Sequence, residues 1–135
     1  MESLKKMLKR HEGYRQFPYN DTEGILTIGY GRNLKDVGIS VVEAEMLLDN
    51  DITKATRELL KHFPIYKLTP ARQDVLINMA FNLGINRLLG FRKMFEAFKN
   101  NDFNRASEEM LDSKWARQVG HRATELAKIM KEGVH

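Results

Sequence analysis

The sequence predicts an α+β fold, mostly helical and two-lobed, with a small antiparallel sheet in an N-terminal lobe and a helical C-terminal lobe joined by a long helix. Three observations carry this. The stretch from Phe17 to Tyr30 alternates along a chain that otherwise follows helical spacing. A capping box, Ser40-Val-Val-Glu43, opens a helical pattern of about 22 residues, roughly 33 Å long and enough to link two lobes. Beyond Pro64 every apolar pattern is helical.

In chain order, Leu4, Met7, Leu8 and His11 place a first helix over Ser3 to Glu12, stopped by Gly13. Asn20-Asp21 and Glu23-Gly24 are turn signals inside the alternating stretch, which sets Leu26, Ile28 and Tyr30 on one side of a strand and Thr27 on the other. This is a small hairpin or meander. The long helix runs from Ser40 to about His62, with Ala44, Leu47, Leu48, Ile52, Ala55, Leu59 and Phe63 on one face, and ends before Pro64. Thr69-Pro70 reads as an N-cap with proline at the first helical position, leading into Val75, Leu76, Met79, Ala80 and Leu83, the centre of the C-terminal core. Shorter helices follow over Arg92–Asn100, Phe103–Leu111, Ser113–Val119 and Gly120–Lys131. The expected division is an N-terminal lobe over about 13–45, a linking helix over about 40–62, and a C-terminal lobe over about 63–135 together with the first helix, 3–12.

At 135 residues this is one domain, burying roughly two thirds of its unfolded surface without staples. The chain has no cysteine, which excludes disulfides, thiolate metal sites and thiol redox chemistry. Its charged N-terminus has no apolar run of signal-peptide length, so the reading expects no signal peptide and a soluble protein. The 22 basic and 18 acidic residues leave a net charge of +4, spread along the chain, a mild field that favours anionic surfaces.

Several motifs fail on their own terms. Gly29-Tyr-Gly31 opens like a dinucleotide loop, but Leu34 stands where the third glycine belongs, so the glycines read as tight backbone at a strand end. His11-Glu12 lacks the second histidine of a zinc-protease motif, since Arg15 occupies its place. Asp49-Asn50-Asp51 lacks the glycine and glutamate of a calcium loop, where Lys54 and Leu60 stand. No metal or cofactor is expected.

Carboxylates remain as candidates for chemistry. Glu12 ends a helix, where the negative pole of the last carbonyls favours a protonated carboxyl and suits a general acid. Asp21 lies in a polar turn where it can stay ionised, and the Thr27 hydroxyl could hold a water. Two carboxyls in unlike environments can divide the acid and base roles of glycoside hydrolysis. The same placements are common on ordinary surfaces, so spacing alone leaves both readings open.

Glu12, with Asp21 nine residues on and Thr27 six further, in HEGYRQFPYNDTEGILTIGYG, resembles the Glu-Asp-Thr triad of phage-type lysozymes, the T-even phage endolysin family. DVLINMAFNLG resembles that family's central C-terminal helix, and SKWARQVGHRA the segment whose Trp and Arg face its cleft. The motifs stand in family order from Leu4 to about Lys131. The resemblance implies an inverting muramidase that cuts the β-1,4 bond between N-acetylmuramic acid and N-acetylglucosamine in bacterial peptidoglycan, in a cleft between the lobes. Glu12 would be the acid, and Asp21 with Thr27 would hold and activate water. Arg122 would ion-pair with Glu12. Glu23, Asn33, Phe81, Asn82, Gln118 and Arg122 would bind substrate. The resemblance also implies a monomer without nucleic-acid partner or membrane insertion, held in the host cytoplasm until it is released to the wall. Glycines 29 and 31 would bring a strand close to a sugar chain. Trp115 reads as a packing anchor, Phe81 as either cleft or core, and Leu76, Met79, Phe91, Phe95 and Leu126 as core. The chain departs from the family's best-known member in a short segment from Gly31 to Ser40, in Arg32 for His, and at the sugar-contacting positions occupied by Met94 and Glu109.

Overall fold

Local signals set most of the elements in the computed structural model, which describes residues 1–135. Ser3 caps α1 (Leu4–Glu12) by accepting the Lys6 N–H at 3.2 Å, and Gly13 ends it. Strands β1 (Arg15–Asn20), β2 (Leu26–Gly29) and β3 (Arg32–Asn33) form an antiparallel meander in that order. Tyr19 pairs with Thr27 and Asn20 with Leu26, but Arg15 pairs with Gly29, so a bulge lies between Arg15 and Tyr19. β2 alternates as expected, with Thr27 the buried member and Leu26 exposed.

The capping box at Ser40 is formed in both directions: the Glu43 N–H donates to Ser40 Oγ at 3.2 Å, and the Ser40 N–H to Glu43 Oε1 at 2.9 Å. It opens α2, Val41–Leu60. Backbone contacts divide the chain into Met1–Leu47 and Leu48–His135, a boundary that falls inside α2. The sequence reading groups the first helix with the C-terminal lobe; in this division it falls with residues 13–47. The apolar face expected along the whole of α2 is buried only at Ala55 and Leu59, where the core of the second unit begins, while Leu47, Leu48 and Ile52 are exposed.

In the second unit a 3-10 turn (Ile65–Lys67) precedes α3 (Pro70–Leu83), which Thr69 caps by accepting the Arg72 N–H at 3.3 Å. The helices α4 (Ile85–Leu89), α5 (Arg92–Lys99), α6 (Phe103–Leu111), α7 (Lys114–Val119) and α8 (His121–Glu132) follow. The core packs Val75, Leu76 and Met79 of α3 against Leu88, Met94, Met110 and Met130, all fully buried. Truncating such a side chain costs about 2–5 kcal/mol. Phe91 and Phe95, expected as core, are half-buried on its margin, and Leu126 lies within it. Ser107 Oγ donates to the Ala127 carbonyl at 2.8 Å, tying α6 to α8. Arg72 reaches the end of α8, donating to the carbonyls of Met130 at 2.7 Å and Lys131 at 3.0 Å while its guanidinium lies 3.6 Å over the Phe103 ring. No helix is long and apolar enough to cross a membrane.

One ion pair fastens β3 to the start of α2. Arg32 Nη1 donates to Glu43 Oε1 at 2.7 Å and to the Gly38 carbonyl at 3.0 Å, and Nη2 meets Glu43 Oε2 at 2.6 Å. The Arg32 hydrogen bond, then the Ser40 N–H, hold the Glu43 carboxyl down to about 2. A depressed carboxylate contributes stability that is full above its ordinary value near 4.5 and is lost as pH falls toward about 2. Melting curves should therefore place wild type above Glu43→Gln at neutral pH, with the gap closing across that window. A gap that is constant down to its acid end would contradict the pairing.

Candidate active site

The first unit gathers Glu12, Asp21 and Thr27 around its sheet. Glu12 is the last residue of α1, exposed, with its carboxyl beside the loop that follows β2. Gly31 makes that approach possible: a Cβ built there would stand 2.7 Å from Glu12 Oε2 and 2.9 Å from its Cδ. The space that a side chain would fill at Gly31 is thus occupied by the carboxyl of Glu12, a reason for glycine that lies within the protein. Gly31 also has φ +76°, a conformation that L side chains rarely adopt.

Asp21 sits in the turn between β1 and β2, and its side chain builds that turn. Its Oδ1 accepts the N–H of Glu23 at 2.8 Å and of Ile25 at 2.9 Å, while its own N–H donates to the Ile25 carbonyl at 2.9 Å. Oδ2 makes no hydrogen bond within the protein. Thr27 in β2 is 4% exposed, and its hydroxyl donates to the Ile25 carbonyl at 2.8 Å. With its single proton so directed, Thr27 Oγ1 can engage a further group only as an acceptor. The side chains of Asp21 and Thr27 therefore share Ile25 as a backbone neighbour, Asp21 through its N–H and Thr27 through its C=O.

The other expected residues vary in how free they are. Glu23 is exposed at the tip of the same turn. Asn33 is engaged locally, its Oδ1 accepting the Asp36 N–H at 2.9 Å and its Nδ2 donating to Asp36 Oδ2 at 3.2 Å. In the second unit Phe81 is 48% exposed, which decides between the cleft and core readings in favour of an outward ring. Trp115 is buried, packed edge-on against Phe91, and donates its indole N–H to Asn82 Oδ1 at 2.7 Å. Arg122, half-buried on α8, donates from Nε at 3.1 Å and Nη2 at 2.7 Å to Asn78 Oδ1. Gln118 is exposed on α7 and lines an open cavity of about 720 Å³ with Leu83, Phe91, Glu109 and Trp115. Met94, fully buried, and Glu109, held by Arg105 Nε at 2.9 Å, differ in chemistry and in freedom from polar side chains that could reach a sugar. Sequence reasoning missed Gly31 as the seat of Glu12 and Asn78 as the partner of Arg122, which lies 44 residues away along the chain.

Residues 9–131 match a family model described as phage lysozyme. Similar proteins include probable T4-type lysozyme 1 of Dictyostelium discoideum, 27% identical over 163 positions that cover 98% of this chain and 96% of that one. An endolysin of Acyrthosiphon pisum secondary endosymbiont phage 1 is 29% identical over 93% of this chain and 86% of its own. The pre-baseplate central spike protein Gp5 of Enterobacteria phage T4 is 30% identical over 97% of this chain, which spans 28% of that longer protein. The 163-position alignment is longer than the 135-residue chain, so that relative has residues with no counterpart here.

Gly29 and Gly31 offer a paired test, because both have positive φ but a Cβ at Gly29 meets nothing within 4 Å. Alanine at either position should cost about 1–2 kcal/mol of stability through backbone strain. Only Gly31→Ala should displace Glu12, and clearing of a cell-wall suspension should fall about tenfold or more below that of Gly29→Ala. Equal activity of the two variants would remove Gly31 from the site.

Proposed function

The chain belongs to the phage lysozyme family and is a glycosidase, a muramidase-type hydrolase of peptidoglycan, and on that premise we propose that Glu12, Asp21 and Thr27 cleave the β-1,4 bond between N-acetylmuramic acid and N-acetylglucosamine with inversion. The observation that carries the reading is the joint setting of Asp21 and Thr27 on Ile25, with Asp21 Oδ2 and Thr27 Oγ1 both left as acceptors. A water that donates one proton to each turns a lone pair outward, toward a sugar carbon. Asp21 takes a proton from that water as its oxygen bonds to the anomeric carbon. Glu12 gives its proton to the glycosidic oxygen as the carbon–oxygen bond breaks. Bulk water then returns a proton to Glu12 and removes one from Asp21. An inverting pair stands roughly 6.5–9.5 Å apart to admit the water.

Glu23, Asn33, Phe81, Asn82, Gln118 and Arg122 are the proposed substrate contacts, with Asn33 the most restricted because both ends of its amide serve Asp36. The biological setting proposed is bacterial lysis by a monomeric endolysin that waits in the host cytoplasm and reaches the wall after the membrane is breached.

The test is the release of reducing ends from purified peptidoglycan. Glu12→Gln should lower the rate by about 10²–10⁴-fold. Asp21→Asn keeps an acceptor for the two turn N–H groups, so it should melt near wild type while losing a similar factor. Thr27→Val should lose rate and Thr27→Ser recover most of it. A Glu12→Gln or Asp21→Asn protein as fast as wild type would refute the assignment.

A further inference from the structure

Helix α1 has no buried residue, and the ion pair that one of its side chains makes, Arg10 to Glu2 at 2.9 Å, runs to the segment before it rather than to the sheet. Gly13 follows α1 with φ +71°, where a Cβ would meet nothing within 4 Å, and Tyr14 then leads into β1. A glycine so placed leaves the direction of the helix to contacts made around it. The ring of Tyr30, between β2 and β3, touches the chain on both sides of Gly13. Lys9 Nζ lies 5.3 Å from its centroid, and the Tyr14 ring is 5.6 Å away with 47° between the planes. Lys9 and Glu12 are three residues apart on α1 and so share a face. Two neighbours on that face thus meet two neighbours in the loop, Lys9 on Tyr30 and Glu12 on Gly31.

We infer that Tyr30 is a positioning residue for Glu12: its ring clasps Lys9 and Tyr14 across Gly13, fixes the angle at which α1 meets the sheet, and so holds the Glu12 carboxyl against Gly31. The inference rests on the proposed role of Glu12 as the acid and adds to it what keeps that acid in place. Tyr30 is 48% exposed and Tyr14 63%, so neither ring is spent on a core. The exposed ring joins two segments that the backbone alone leaves hinged. Ring contacts at the surface are individually weak, so the loss of this one should show in the placement of Glu12 more than in melting temperature. An acid moved away from the glycosidic oxygen slows proton transfer without loosening the hold on the glycan. Both contacts are made to the ring of Tyr30, so phenylalanine should serve in its place.

Steady-state kinetics of the full-length protein on a soluble wall oligosaccharide separate this role from folding and from sugar binding. Tyr30→Ala should lower kcat by about 10–10²-fold, the cost of displacing the acid by about 1 Å, with KM and melting temperature close to wild type. Tyr30→Phe should restore kcat. Lys9→Ala should lose part of the rate and Lys9→Arg recover it. Because Tyr30 acts through Glu12, Tyr30→Ala added to Glu12→Gln should slow that variant no further. An unchanged kcat in Tyr30→Ala, a rise in KM alone, a Tyr30→Phe protein as slow as Tyr30→Ala, or an equal further loss in the Glu12→Gln background would overturn the clasp while leaving Glu12 as the acid. Should Tyr30→Ala melt well below wild type, Lys9→Ala in both backgrounds makes the same comparison, since Lys9 is exposed. A Glu12→Gln protein as fast as wild type would overturn the role of Glu12 and the clasp with it.

Discussion

The turn closed by Asp21 is the constraint on which the first unit depends. One carboxylate oxygen accepts two backbone N–H groups, and the register that follows sets Tyr19 opposite Thr27 and Asn20 opposite Leu26. That register turns Thr27 inward, where a threonine and not an aliphatic residue is the buried member of the strand. It also delivers the chain to Gly31, the position that accommodates Glu12. A buried hydroxyl must find a partner, and the Ile25 carbonyl supplies it. The same aspartate oxygen pair thus divides its work, Oδ1 building backbone and Oδ2 remaining available for chemistry.

In the second unit the corresponding role falls to α3. Its buried side, Val75, Leu76, Met79 and Ala80, is the centre of the core, and its exposed side bears Asn78, Phe81 and Asn82. Packing on one face fixes what the other displays. Trp115 and Arg122 come from α7 and α8, and each contributes a donor that orients an amide on α3. Amides oriented in this way are cheap to hold in place because the helices are already packed by methionine and leucine.

What the sequence made legible was local. The Ser40–Glu43 box and Thr69-Pro70 announce helix starts through neighbours three residues away, and both caps are formed. Strand β3 and helix α4 were not foreseen, because two residues and five residues are too short for a period to show. The exposure of Leu47, Leu48 and Ile52 was equally hidden, since helical spacing tells which residues share a face and not what that face meets. The spacing of Glu12, Asp21 and Thr27 was readable as a resemblance to phage-type lysozymes. Their hydrogen bonds were not, since the direction of the Thr27 proton depends on a carbonyl brought near by the turn. Asn78 carried no sequence signal, because its partner is on another helix.

The central claim is that a water held by Asp21 and Thr27 attacks the anomeric carbon directly while Glu12 protonates the leaving oxygen. Its most direct measurement is the anomeric configuration of the first product, followed by proton NMR during cleavage of a soluble wall oligosaccharide before mutarotation. The account predicts the α-anomer at early times, the outcome of a single displacement on a β-linked sugar. Initial formation of the β-anomer would mean a covalent or retained route and would contradict it.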